Sequence, residues 1–178
     1  PFQHYFVRRR CEPCVMDLTY VGAAEAQLSE FALKALQHAD IVVICPSNPY
    51  LSIDPILSVP GVRRFIRKLP IPKIGVSPIV GGQAIKGPAA KMMLEMGKEV
   101  SARTVAEHFE GMLTGFVVDT ADANLVDELS IPTLAVNTLM VDMSTKRALA
   151  QTILDFARAL GVGHRQPLPD RPILPPAL

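Results

Sequence analysis

Two stretches of this sequence combine residue types suited to holding a phosphorylated ligand. Residues 46–55 read Pro-Ser-Asn-Pro-Tyr-Leu-Ser-Ile-Asp-Pro and follow the apolar run IVVIC directly. Three prolines stiffen that loop, while Ser47, Asn48 and Ser52 supply short donors and acceptors that fix a base, a carbonyl or a phosphate at small entropic cost. The same residues equally suit a rigid turn in which Asn48 and the serines satisfy their own backbone. Residues 77–88 read Ser-Pro-Ile-Val-Gly-Gly-Gln-Ala-Ile-Lys-Gly-Pro, between a second apolar run and a helical pattern. Ser77 opens this loop, Gly81 and Gly82 permit close approach of backbone to ligand, and Lys86 adds a cation. Gly87 and Pro88 lead into a helix whose first N–H groups attract anions. The order fits neither G-x-x-x-x-G-K nor G-x-G-x-x-G, so the loop is phosphate-binding in kind only. A glycine-softened turn with a solvated lysine is the structural alternative.

Other groups carry chemistry with a structural reading beside it. Arg8, Arg9 and Arg10 stand near Phe2, Tyr5 and Phe6, and guanidinium forks suit phosphates as aromatic faces suit flat rings; a solvated charge run has the same composition. His108 has acid–base chemistry available, yet its place on a helical pattern between Val105 and Met112 favours a packed histidine. Asp119 and Asp122, at the end of an apolar run, have the position of metal ligands or of helix caps, with capping the expected role for Asp122. Cys11 and Cys14 form a C-x-x-C without a second ligand pair, so neither a closed zinc site nor a redox pair is expected, and Cys45 reads as a small buried hydrophobe. Met92, Met93 and Met96 recur at helical spacing and read as core.

The frame that must position these residues follows from composition and periodicity. The chain has 178 residues, 49% of them hydrophobic and 20% charged, with a net charge of +1, which fits one folded domain and excludes disorder. Near-zero charge gives no footprint for nucleic acid, and no apolar run approaches the ~20 residues of a membrane span. Free thiols and the absence of a leader in the sequence point to the cytoplasm. Strand patterns at 15–21, 41–45, 73–77, 115–119 and 133–137 alternate with helical patterns at 29–40, 60–68, 87–97, 101–112, 121–129 and 144–160. The expectation is an α/β fold: an open, mostly parallel, Rossmann-like sheet with helices on both faces and with 41–45 as a central strand. Residues 1–163 belong to that domain, and the proline-rich residues 164–178 read as an extended tail. In such sheets ligands bind beyond the carboxyl ends of the strands, where both loops fall.

Taken in order, FVRRRCEP, ADIVVICPSNPYLSIDPILSVPG, SPIVGGQAIKGPAAKMM, AEHFEGMLTGFVVDTADA and TLMVD resemble the 2-phospho-L-lactate transferase (CofD-like) family over about residues 2–160. The pairing of PSNP-x-x-S-I-x-P-I-L with SPI-x-GG-x-x-x-KGPAAKMM is highly specific to that family. The resemblance implies a Mg2+-dependent transfer in which a guanosine-diphosphate-linked phospholactate, or its phosphoenolpyruvate analogue, passes its phospho-acyl portion to the hydroxyl of a deazaflavin alcohol and GMP leaves. It places Ser47, Asn48, Ser52, Ser77, Gly81, Gly82, Lys86 and Gly87 at the nucleotide donor, and Phe6, Arg8, Arg9 and Arg10 at the acceptor or diphosphate. A homodimer is also compatible with it.

The sequence departs from the family at several points. The glycine-rich first β-to-α turn and the acidic residues implicated in metal binding are expected further towards the N-terminus, so this chain is read as a C-terminal portion lacking the first strand-helix units. The catalytic residues and metal ligands are accordingly expected outside it, and the chain by itself is expected to be inactive. Cys45 stands where a smaller residue is usual, and Asp54 where glycine is common; a carboxylate there repels a diphosphate unless it meets magnesium or turns away. A non-catalytic guanine-nucleotide-binding relative is the principal alternative, and a sugar-nucleotide transferase of similar architecture a weaker one.

Overall fold

Residues 1–161 are described by a computed structural model, and the expected tail at 164–178, with the domain limit at 163, lies outside the described residues. The β-branched apolar runs form four parallel strands: β1 (Val42–Ile44), β2 (Lys73–Val76), β5 (Gly115–Asp119) and β6 (Thr133–Val136), in the order β1-β2-β5-β6. Register pairs Val43 with Ile74, Gly75 with Phe116 and Val118 with Ala135. Between β2 and β5 lies an antiparallel hairpin, β3 (Ile79–Val80) and β4 (Gln83–Ala84). The helices are α1 (Glu30–His38), α2 (Asp54–Leu57), α3 (Val62–Lys68), α4 (Ala89–Glu95), α5 (Ala102–His108) and α6 (Met143–Leu160).

Each parallel strand is added on the same side of the one before, so right-handed crossovers send the intervening helices to one face. There Val62 and Ile66 of α3, Met92 and Met93 of α4 and Val105 of α5 pack on Phe116 and Val118. Strand alternation turns Val117, with Ile74 and Val76, to the other face, where Leu149, Ile153 and Ala157 of α6 cover them. Gly75 is packed closely: an added Cβ would stand 2.6 Å from Leu113 Cδ1, so that side chain would have to shift to admit it. Helices therefore lie on both faces of a mostly parallel sheet, as expected.

Five expectations need correction. Cys45, the last residue of its apolar run, is exposed and not a buried hydrophobe, and the cap after β5 is Asp119, while the Asp122 carboxylate accepts from the Gly81 amide. Residues 41–45 form the edge of the described sheet and not its centre, and Val43 is 37% exposed. Residues 15–21 form no strand; this segment crosses the surface, with Val15 buried and the Tyr20 hydroxyl donating to the Tyr50 carbonyl at 2.7 Å. Residues Thr120–Val126 form a 3-10 helix kinked at Asp122, because the Asp119 carboxylate takes the Ala121 amide and tightens the first turn. The sequence reading of α6 holds, and that of α5 holds at its Ser101 cap but not at its end, since the helix stops at His108 and not at 112; Asp142 caps α6. No helix among the described residues is long and apolar enough to cross a membrane.

Candidate functional site

Four loops leave the carboxyl ends of β1, β2, β5 and β6 along one edge of the sheet. After β1 the chain enters one turn of π-helix, Pro49–Ile53, that runs straight into α2. Asn48 caps it: its Oδ1 accepts from the amides of Tyr50 at 2.9 Å and Leu51 at 3.2 Å, and its Nδ2 reaches Met92 Sδ at 3.5 Å. Asn48 thus shapes the loop, while the Ser47 and Ser52 hydroxyls have no hydrogen-bond partner among the described residues. Pro49 and Tyr50 are buried, Tyr50 within the main core cluster, so the loop is anchored in the core. Burial, with Asp54 nearby, raises the Tyr50 phenol above its ordinary range.

The loop after β2 is organised differently. Ser77 is buried, and its hydroxyl both donates to the Ile79 carbonyl at 2.8 Å and accepts from the Ile79 amide at 3.0 Å. Its contribution is to the turn. Gly81 and Gly82 have φ of 54° and 74° and join β3 to β4, a two-residue connection that needs left-handed backbone at both positions. The Gly81 amide is held by Asp122 Oδ2 at 2.9 Å. Beyond the hairpin, Lys86 is exposed with no partner among the described residues, and Gly87 has φ of 72° with open space around it. The helix that follows, α4, has only seven residues and no side-chain cap.

At the end of β5, Asp119 is 5% exposed. Its Oδ1 accepts from the Ala121 amide at 3.0 Å and the Thr120 hydroxyl at 3.2 Å, and its Oδ2 from the amide and hydroxyl of Thr138 at 2.8 and 3.0 Å. Burial opposes its charge, but the amides of Thr138 and Ala121 and the two threonine hydroxyls together hold its carboxyl below the usual carboxylate range. Asp119 is a clasp between the β5 and β6 loops, and Asp122 ties them to the glycine hairpin. Among the described residues no group of three or more His, Cys, Asp or Glu side chains is placed to hold a metal ion.

The N-terminal segment packs on α4. His4–Arg8 form a short π-helix whose Phe6 ring stacks on that of Phe2 before it at 5.3 Å, and Arg8, Arg9 and Arg10 are exposed. Lys91 donates to the Pro13 carbonyl at 2.9 Å, and Glu95, ion-paired with Lys91, accepts from the Val15 amide at 3.0 Å. Lys91 first and then the Val15 amide hold the Glu95 carboxyl below its ordinary range. Sequence reasoning missed this clasp, though the i,i+4 spacing of Lys91 and Glu95 on a helix was a visible signal. Asp54, the misfit carboxylate of the first loop, turns away to His108 Nε2 at 2.9 Å and to Arg63 at 3.3 Å. His108 packs edge-on against Tyr50, in keeping with its structural reading.

Residues 2–155 match the family model described as 2-phospho-L-lactate transferase CofD. A phosphoenolpyruvate transferase of Streptomyces griseus is 39% identical over 160 residues, which are 88% of this chain and 50% of the relative. The 2-phospho-L-lactate transferases of Methanocaldococcus jannaschii and Methanosarcina barkeri are 34% and 36% identical over 159 and 156 residues, covering 89% and 86% of this chain and 50% of each relative. The chain spans about half the length of the curated relatives it matches.

Proposed function

From the premise that this chain belongs to the 2-phospho-L-lactate transferase CofD family, we propose that it is the C-terminal portion of an enzyme that transfers a phospholactyl or phosphoenolpyruvyl group. The donor is the guanosine-diphosphate-linked acid and the acceptor the hydroxyl of a deazaflavin alcohol. The acceptor oxygen bonds to the phosphorus that carries the acid, the bridging P–O bond to GMP breaks, the hydroxyl proton passes to solvent and GMP leaves. No covalent protein nucleophile is required, so catalysis rests on positioning and charge neutralisation.

The observation that carries this reading is the set of unspent donors on the carboxyl edge of the sheet. Ser47 and Ser52, on a loop anchored in the core, with Lys86 beyond the hairpin, take the nucleotide and its phosphates. Asn48, Ser77, Gly81, Gly82 and Gly87 hold the two loops in shape around them. Phe6, Arg8, Arg9 and Arg10 offer a ring face and guanidinium groups to the acceptor or the diphosphate.

Magnesium, expected from the resemblance, does not fit the described residues alone: no acidic cluster is present among them, and both oxygens of Asp119 are engaged. Its ligands would come from the part of the relatives' length that this chain does not span.

GMP release by the complete polypeptide and by this chain alone, with donor and acceptor supplied, tests the reading. The complete polypeptide is expected to turn over, and this chain to bind GDP without releasing GMP. Release by this chain alone overturns the division of the site. GDP binding without turnover by either leaves the non-catalytic relative, and preference for uridine nucleotides favours a sugar-nucleotide transferase.

A further inference from the structure

We infer that Asp54, His108 and Arg63 form a positioning device that sets the loop after β1 for its ligand; the inference rests on the reading that this loop takes the donor nucleotide. Asp54 is the first residue of α2 and directly follows the Pro49–Ile53 turn. His108 closes α5, on an element distant in sequence, and the two side chains are 16% and 15% exposed. One imidazole touches both ends of the turn. Its Nε2 meets the Asp54 carboxylate at 2.9 Å, and its edge contacts the Tyr50 ring at a centroid distance of 5.1 Å and an interplanar angle of 77°. Phe109 packs against the imidazole from its own helix end at 5.0 Å, and Arg63 of α3 reaches the same carboxylate at 3.3 Å.

Two consequences follow from this arrangement. The turn is fixed at Tyr50 and at Asp54, so Ser52 between them and Ser47 before them keep a set relation to the backbone that Asn48 caps. The carboxylate is also paired within the chain. In a loop that receives phosphates a free Asp54 would repel the ligand, and the imidazole and guanidinium engage that charge. None of the three residues touches the ligand; they act through Ser47, Ser52 and the loop backbone.

The two effects separate experimentally in the complete polypeptide, with GDP as the probe. His108→Gln is expected to weaken GDP binding about tenfold. Adding Asp54→Asn to His108→Gln is expected to recover most of that affinity, because the released side chain is then neutral, without recovering thermal stability. Arg63→Gln, at a side chain 43% exposed and safe for folding, is expected to weaken binding about threefold. Hydrogen exchange without nucleotide reads the loop directly: the amides of Tyr50, Leu51 and Ser52 exchange at least about fivefold faster in His108→Gln, while β5 amides do not change. Unchanged exchange at these amides overturns the positioning role, and failure of Asp54→Asn to restore affinity overturns the charge-shielding role. If wild-type protein binds no GDP, the nucleotide reading falls, and the exchange result alone decides whether the device holds the loop.

Discussion

At the ends of β5 and β6 the Asp119 carboxylate accepts four hydrogen bonds, whereas in the loops after β1 and β2 the Ser47, Ser52 and Lys86 side chains have no partner among the described residues. Both regions lie along one edge of one sheet and both are rich in polar residues. Polarity at a strand end is thus a poor guide to function by itself. A polar group whose hydrogen bonds are spent within the chain holds the edge together, and a group with unspent donors on a stiff backbone is the one available to a ligand.

The largest expected effect tests the closed half. Asp119→Ala leaves the Thr138 and Ala121 amides without their acceptor in a buried setting, and a loss of about 3 kcal/mol in folding stability is expected from denaturant unfolding. The same residue sets an acid limb. Its folded pKa lies below the ordinary carboxylate value of ~3.9, so its contribution is complete above about pH 4 and is lost as pH falls through the depressed folded value. Thermal melts should fall more steeply below pH 4 for wild type than for Asp119→Asn. A ligand-binding Asp119 would instead give a variant of near-normal stability and lost affinity, which would remove the contrast between the two halves.

Lys86→Ala tests the open half. A lysine that meets only solvent and ligand phosphate is expected to weaken GDP binding about tenfold (~1.4 kcal/mol) while the melting temperature stays within about 1 °C. Equal affinity of wild type and variant by titration calorimetry would return Lys86 to a solvated turn. Between the halves stands the hairpin: Gly82→Ala places a side chain at φ of 74° and is expected to cost about 1 kcal/mol of stability, read from the shift in unfolding midpoint.

The same contrast explains what the sequence made legible. Strands and capped helices announce themselves locally, so IVVIC, KIGVS and GFVVD located β1, β2 and β5, and Ser101 located the start of α5. The place of β1 at the edge of the described sheet depends on which strands pair with it, and five apolar residues carry no record of that. VMDLTYV has a strand's alternation but no partner strand among the described residues, and its path is set by contacts with Glu95 and Tyr50, residues 80 and 30 positions away. The candidate loops were legible by composition because Ser, Asn, Gly and Lys between apolar runs are visible in order. Which of their donors are spent was not legible: Asp122 meeting Gly81, Thr138 meeting Asp119 and His108 meeting Asp54 all join distant positions.

Ser47→Ala gives the smallest expected effect and the sharpest form of the comparison. Ser47 follows the edge strand directly, and its own amide closes a tight turn to the Cys45 carbonyl at 2.6 Å, so the backbone direction there does not depend on the hydroxyl. Removing the hydroxyl leaves Asn48, Pro49 and Tyr50 to hold the turn, and stability should not change measurably. A single neutral hydrogen bond to a ligand contributes about 0.5–1.5 kcal/mol net, so the expected loss is about threefold in GDP affinity. Asn48→Ala at the neighbouring position should do the reverse, lowering stability by about 1 kcal/mol through loss of the cap and affecting affinity only as far as the turn loosens. Adjacent residues with opposite signatures would place the boundary between spent and unspent polarity between Ser47 and Asn48. If both variants lose only stability, the loop after β1 is a turn like the one after β5, and the candidate site shrinks to the hairpin and Lys86.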